Sequence, residues 1–456
     1  MVFSSEIFLF IFLPLTIAFY FLSGRFKNIV LLAASLLFYA WGEPIYIVLM
    51  LVSIAGNYLF GLLMGKLHLS SVRKAVLVIA CMVNLAFLAV YKYAGFVVAN
   101  LNSLGFAVGD PGIDLPIGIS FYTFQSMSYV VDVYRGKVST QRNILKLGLY
   151  VSMFPQLIAG PIVRYSDVES EINSRHTTPE DFCEGAKRFM IGFSKKILIA
   201  DIVAKIADTA FSMDGLSTNM AWLGIIAYSI QIYFDFSGYS DMAIGLGRIF
   251  GFHFLENFDY PYISKNIREF WRRWHMSLGG WFRDYVYIPL GGSRCAEPRI
   301  YLNLLIVFFL TGLWHGASWN FVVWGLWYAV FLIGERFWEK RNLKCRIPSI
   351  LQHIYACLVI LIGWVFFRAE TCGAAITYIR AMFSFRFDHA PAINISSECM
   401  TMLIIGIVFS MPVYKMLHSR VRFFRGLSDV LAVACFALSI LYMVGSGFSP
   451  FLYFRF

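Results

Sequence analysis

The chain has 456 residues, of which 59% are hydrophobic, 18% aromatic and 14% charged, against roughly a quarter charged in an ordinary soluble domain. So few charges cannot cover a globular surface of this length, and a mean hydropathy of +0.67 spreads the apolar excess along the chain instead of confining it to one anchor. The formal charge of +11 is carried by short breaks between apolar runs, which excludes a nucleic-acid face and predicts cytoplasmic loops under the positive-inside bias.

Those breaks are Arg25 to Lys27, Lys66 to Lys74, Glu335 to Arg346 and Lys415 to Arg425. Ile7 to Phe21 follows Glu6 without a basic segment and lacks a small-x-small cleavage pattern, so it reads as a retained first span with its N-terminus outside. Pro44 to Lys66 and Ala75 to Tyr91 are uncharged up to their ends and near the roughly 20 residues that cross the hydrocarbon. Leu115 to Arg164 carries Pro116, Pro155 and Pro161 with several Gly. Its helices are predicted to be broken or re-entrant, which is tolerated at membrane depth only where protein or a water-filled cavity satisfies the backbone. Phe154 to Pro161 is expected to bend a helix twice.

Thr178-Pro179-Glu180-Asp181 predicts a helix start, with a capping hydroxyl, Pro at the first position and acids in the first turn. Asp235 and Asp241 lie in an aromatic stretch, where buried carboxylates must be paired or wetted; pairing with interfacial Arg is predicted. Gly245, Gly247 and Gly251 predict close helix packing rather than a nucleotide loop. From Phe270 to Tyr285, the residues Trp271, Trp274, Leu278, Trp281, Phe282 and Tyr285 recur at helical spacing, predicting an amphipathic element at the headgroup boundary. His275 borders that stripe, and the pattern leaves open whether it is an interfacial structural residue or points into a cavity. Gly291-Gly292-Ser293 after Pro289 predicts a tight turn.

Tyr301 to Gly334 has no acidic or basic side chain except His315. As one straight helix its 34 residues would measure about 51 Å, well beyond a hydrocarbon core of roughly 30 Å, so two pieces or a bend are required, with His315 at the break. An ionisable side chain inside an apolar run is a functional candidate by default, and a neutral imidazole there can serve as a general base. Flanking small residues permit close approach, and Trp can wall a pocket. The candidate catalytic residues are His315 and His275; the candidate substrate contacts are Trp314 and Asn320 beside the first, Trp274 and Arg273 beside the second. Eight Cys without a CxxC pair predict neither a disulfide framework nor a metal site. Ile347 to Phe367, Thr401 to Tyr414 and Val430 to Phe454 complete the spans and put the C-terminus outside.

Six segments together resemble the membrane-bound O-acyltransferase family, in its bacterial branch of alginate O-acetylation proteins: FPQLIAGPIVRY (Phe154 to Tyr165), YFDFSGYSDMAIGLG (Tyr233 to Gly247), EFWRRWHMSL (Glu269 to Leu278), WFRDYVYIPLGGSR (Trp281 to Arg294), GLWHGASWNFVVWG (Gly312 to Gly325) and WVFFRAE (Trp364 to Glu370). With PIGISFYTFQSMSYVVDVYR (Pro116 to Arg135), the likeness runs from Pro116 to the C-terminus.

The resemblance implies an all-α polytopic membrane protein of roughly 10–13 transmembrane or re-entrant helices, with interfacial amphipathic helices around a central cavity. It would form one domain over 1–456, with N-terminal spans at 1–115, a catalytic core at 116–370 and C-terminal spans at 371–456. It also implies His315 as the catalytic histidine and His275 as the second functional position. Further expectations are no bound cofactor, acetyl-coenzyme A or another acyl thioester as donor, a bacterial cytoplasmic (inner) membrane location, contact with membrane lipid, no nucleic acid, and an extracytoplasmic accessory acetyltransferase of SGNH-hydrolase type acting on a polysaccharide. Teichoic-acid D-alanylation and peptidoglycan O-acetylation are the neighbouring readings. A transporter, with both histidines as relay sites, would instead require paired interrupted helices in two halves; a scaffold that docks a partner enzyme would need neither histidine.

Overall fold

The computed structural model describes residues 3–158, 160–341, 347–387, 395–420 and 422–446. Every regular element among them is helical. Six are long and apolar enough to cross a membrane: Ile47–Lys66, Ser70–Ser103, Glu297–His315, Trp319–Lys340, Ser349–Arg368 and Gly426–Gly445. Shorter apolar helices lie at Phe8–Leu22 and Ser397–Phe409. The chain is an all-α polytopic membrane protein. It divides into two compact units, one built from Met1–Phe189 and Ser240–Leu255, the other from Met190–Tyr239 and Glu256–Gly445.

In the first unit, a π-helical turn at Phe8–Phe12 leads into α1 (Leu13–Leu22), followed by α2 (Lys27–Gly42), α3 (Ile47–Lys66) and α4 (Ser70–Leu88), which runs on through a π turn at Ala89–Tyr93 into α5 (Ala94–Ser103). Leu51, Leu59, Val78 and Met82 are exposed on these helices, as lipid-facing positions are. Asn57 and Asn84 are buried between α3 and α4 and exchange amide hydrogen bonds of 3.0 and 2.8 Å. Such pairs join helices where no water competes. Then come α6 (Ile119–Tyr134), α7 (Ile144–Ser152), the single turn α8 (Phe154–Leu157), α9 (Tyr165–Asn173) and α10 (Pro179–Ser194).

The helix breaks expected between Leu115 and Arg164 are present. Gly118, at φ +77°, lies against the Leu157 carbonyl, 2.9 Å from where a Cβ would stand, so this joint admits only glycine. Phe154, Pro155, Gln156 and Leu157 are fully buried, which places the irregular backbone inside protein, as the membrane requires. The predicted start of α10 is also seen: the Asp181 N–H donates to Thr178 Oγ1 at 3.1 Å, and the Thr178 N–H donates back to Asp181 at 3.3 Å. On the returning segment, a Cβ on Gly245 would stand 2.5 Å from the Gly185 carbonyl oxygen, the close packing predicted for this glycine run. Asp241 pairs with Arg188 at 2.6 Å.

The second unit begins with the last turn of α10 from Met190, followed by a π-helix at Lys195–Ala200, α11 (Asp201–Ser212) and α12 (Thr218–Ile249, of which Thr218–Tyr239 belongs here). The short α13 (Ile267–Arg273) and α14 (Met276–Phe282) precede α15 (Glu297–His315), α16 (Trp319–Lys340) and α17 (Ser349–Arg368). The chain continues through α18 (Cys372–Met382), α19 (Ser397–Phe409), α20 (Val413–Arg420) and α21 (Arg422–Ser446). The part of the Val430 to Phe454 span beyond Ser446, and Lys344 and Arg346 of the basic loop, lie outside the described residues.

Helices α15 and α16 form a tight hairpin. A Cβ on Gly312 would strike the Phe321 carbonyl, and one on Gly325 the Phe308 carbonyl. Asn320 donates from its side-chain amide to the Ala369 and Phe366 carbonyls at 2.7 and 3.3 Å, tying the end of α17 to the start of α16. Glu335 of α16 accepts the Ile267 and Arg268 N–H groups at 2.6 and 3.1 Å. That carboxylate caps α13 and sets it against the hairpin.

Two expectations are corrected here. The aromatic stripe from Phe270 to Tyr285 does not ride on one helix, because His275 adopts φ +45° and ψ +53° and separates α13 from α14. Asp235 pairs with Lys196 at 2.7 Å, not with an interfacial Arg, and Lys196 also meets Asp201 at 2.6 Å. Lys196 and Asp235 are both buried, so the pair neutralises charge that no water reaches.

Candidate active site

The 34-residue uncharged run breaks at the histidine: α15 ends on His315, with Gly316 as its cap, and α16 resumes at Trp319. The His315 ring is buried and enclosed edge-on by Trp314, Trp324 and Phe367, with centroids at 4.9, 4.8 and 5.2 Å and interplanar angles of 82°, 82° and 76°. Edge-to-face packing of this kind fixes a ring's plane. Trp324 stands 16 positions along α16 from Lys340, about 24 Å at 1.5 Å per residue. The imidazole therefore lies deep relative to the charged end, where Glu297 meets Arg336 and Lys340 at 3.2 and 3.4 Å.

His275 reaches the same cluster. Its ring is 5.9 Å from that of Trp314 and 4.6 Å, edge-on, from Phe236 of α12. The Trp314 indole is thus in ring contact with both candidate histidines. His275 is 1% exposed, so its ring is turned into protein and not towards lipid phosphate. Burial pushes its imidazole down to about 3, so it is neutral at physiological pH. Its Nδ1 lies 3.1 Å from Asn257 Oδ1, which also accepts from the Ser277 hydroxyl at 2.9 Å and the Ser277 N–H at 3.2 Å. Its Nε2 is buried and meets no hydrogen-bond partner.

The four expected substrate contacts fall in different places. Trp314 touches both histidine rings. Trp274 is buried against Trp364 at 4.8 Å, and Trp364 stacks on Trp324 at 6.3 Å, so it belongs to the wall behind His315. The Asn320 amide is engaged by α17, while its Oδ1 is buried without a partner. Arg273 faces an open polar cleft of about 520 Å³, lined also by Asp259, Asn266, Arg268, Glu269, Arg272 and Glu339; there it binds Asp259 and Glu269 at 2.9 and 3.1 Å. Phe236, Asn257, Ser277, Trp324 and Phe367 were not singled out as site residues, although all but Asn257 lie inside the quoted segments. For Asn257 the available signal was an amide inside the aromatic run Phe254 to Tyr262.

The two histidines come from segments 40 positions apart in sequence, and both rings meet Trp314. The family model for MBOAT, the membrane-bound O-acyltransferases, matches residues 58–372. The chain belongs to this family. It is accordingly an acyltransferase, which sets aside the transporter and scaffold readings. It is 41% identical to a probable alginate O-acetylase of Azotobacter vinelandii, with all of both chains covered. A peptidoglycan O-acetyltransferase of Helicobacter pylori is 33% identical over all of this chain and 98% of its own length. A teichoic acid D-alanyltransferase of Bacillus subtilis is 32% identical over 55% of this chain and 67% of its own.

Proposed function

We propose that this protein O-acetylates an extracytoplasmic polysaccharide, an alginate-like exopolysaccharide or another cell-envelope glycan, from the bacterial cytoplasmic membrane. The observation that carries the reading is the pair of buried imidazoles in contact with Trp314, in a chain similar over its full length to enzymes named for glycan O-acetylation. The D-alanyl reading draws on a relative that matches little more than half of this chain.

In this scheme a cytoplasmic acyl thioester, acetyl-coenzyme A or another carrier, presents its carbonyl carbon near His315. The acceptor hydroxyl oxygen attacks that carbon while His315 takes the hydroxyl proton. The C–S bond then breaks, and the imidazolium returns the proton to the departing sulfur, so the histidine is restored. A positioned base contributes typically about 10²- to 10⁴-fold, and holding both reactants in one dry site contributes more. No Ser in a GxSxG elbow occurs beside His315, which favours direct transfer, or relay through an accessory SGNH-type acetyltransferase outside the membrane, over an enzyme ester.

The test is mass spectrometry of envelope polysaccharides from cells that carry the wild-type chain, His315→Ala or no copy. O-acetyl groups are expected only with the wild type. A His315→Ala protein that inserts normally and still supports acetylation would remove His315 from the chemistry.

A further inference from the structure

The Asn257–His275 contact can be resolved to the level of protons. A backbone N–H can only donate, so the 3.2 Å contact from the Ser277 N–H identifies the facing Asn257 atom as the carbonyl oxygen. An oxygen that accepts from Ser277 cannot donate to an imidazole. At 3.1 Å from the same oxygen, His275 Nδ1 must therefore carry the hydrogen; two lone pairs facing each other at that distance would repel. A neutral ring protonated on Nδ1 has its lone pair on Nε2. That nitrogen is buried and meets no hydrogen-bond partner, on a ring in contact with Phe236 and Trp314.

We infer that Asn257 is a positioning residue for acyl transfer: it locks His275 into the Nδ1–H tautomer, so that Nε2 presents a hydrogen-bond acceptor to a hydroxyl or amide N–H of the bound substrates. The inference rests on the reading that His275 belongs to the acyl-transfer site. Asn257 is 1% exposed, and its main chain is fixed to the same loop, because its carbonyl accepts the Met276 N–H at 3.0 Å. A residue held at both ends and turned towards one ring nitrogen is suited to orienting that ring, as outer-shell partners of functional histidines do.

The experiment uses the full-length chain in lipid nanodiscs with ¹⁵N-labelled histidine, the His275 signals being identified by their loss in His275→Gln. Nδ1 is expected to be protonated in the wild type and in Asn257→Asp, and to lose that preference in Asn257→Ala. A wild-type signal from Nε2–H overturns the inference outright. In cells, Asn257→Ala is expected to lower polysaccharide O-acetylation by about 10- to 100-fold, whereas Asn257→Asp, which keeps the accepting oxygen, restores most of it. Because a carboxylate favours the imidazolium, the acid limb of its pH profile moves upward. In a His275→Gln background Asn257→Ala should change nothing further, and a second full loss there would assign Asn257 a purely structural role. Should His275→Gln itself leave acetylation intact, the underlying reading of the site fails, while the tautomer measurement still decides what Asn257 does to the ring.

Discussion

Gly325→Ala tests whether the α15–α16 hairpin, rather than the His315 side chain alone, sets the chemistry. The added Cβ would collide with the Phe308 carbonyl oxygen and lie 3.1 Å from its carbon and 3.3 Å from Gly312 Cα. All three neighbours are main chain, so no rotamer change relieves the clash and the helices must part by about 1 Å to regain ordinary separations. Overpacking of this sort costs typically about 1–3 kcal/mol. His315 ends the displaced helix, and a misplacement of about 1 Å lowers a positioned reaction by about 10²-fold. Gly334→Ala on the same helix is the control, since nothing lies within 4 Å of its Cβ position and the change favours the helix by about 0.4–1 kcal/mol. O-acetyl content per polysaccharide, read beside thermal unfolding of the purified protein in detergent, should fall for Gly325→Ala and hold for Gly334→Ala. Equal activity and equal unfolding temperature in both variants would refute the claim that backbone contact positions the histidine.

Lys196→Met removes the cation that the buried Asp235 carboxylate meets at 2.7 Å, and breaking such a pair costs about 3–5 kcal/mol. Adding Asp235→Leu should recover most of that loss, as read by denaturant titration of the detergent-solubilised protein; a double variant no better than the single would contradict the pairing. His275 gives a pH signature. Its folded value, about 3, lies below the usual 6.5, so the unfolded chain binds the extra proton, and stability falls as pH drops from about 6.5 towards 3. Between those limits the wild type should lose up to about 1.4 kcal/mol per pH unit more than His275→Gln, and matching slopes in the two proteins would show that the ring is not held neutral.

Apolar run lengths were enough to locate α3, the start of α4, α15, α16 and α17, because hydropathy alone dictates what crosses a membrane. The break at His315 was legible for the same reason: 34 uncharged residues do not fit one span. Periodicity failed between Phe270 and Tyr285. The stripe of Trp271, Trp274, Leu278 and Trp281 does face protein, but its spacing is matched by two short helices with a left-handed residue between them, and nothing in an apolar pattern marks a positive φ at histidine. Partner choice was equally hidden. Nothing in the sequence pairs Lys196 with Asp235, 39 positions away; Lys196 lies in the π-helical turn at Lys195–Ala200 and meets Asp235 from there. For Asn257 the amide in its aromatic run was the whole signal, and it could not show that one oxygen faces one ring nitrogen across 18 residues.

The left-handed conformation of His275 bears on function because of what it excludes. A non-glycine residue at φ +45° costs on the order of 1–2 kcal/mol, and glycine would adopt it without strain. Three hydrogen bonds hold the joint: Met276 N–H to the Asn257 carbonyl at 3.0 Å, Asp259 N–H to the Arg273 carbonyl at 3.0 Å, and Ser277 N–H to Asn257 Oδ1 at 3.2 Å. Had α13 simply continued as a helix, residue 275 would have followed the rotation of that helix, and Asn257 could not have met both its ring and the Ser277 N–H. The strain and the tautomer therefore share one cause, a loop that turns this imidazole towards Trp314. Strain kept at a buried, chemically competent side chain points to a role beyond packing, and here it falls on a histidine whose Nε2 is buried and meets no hydrogen-bond partner.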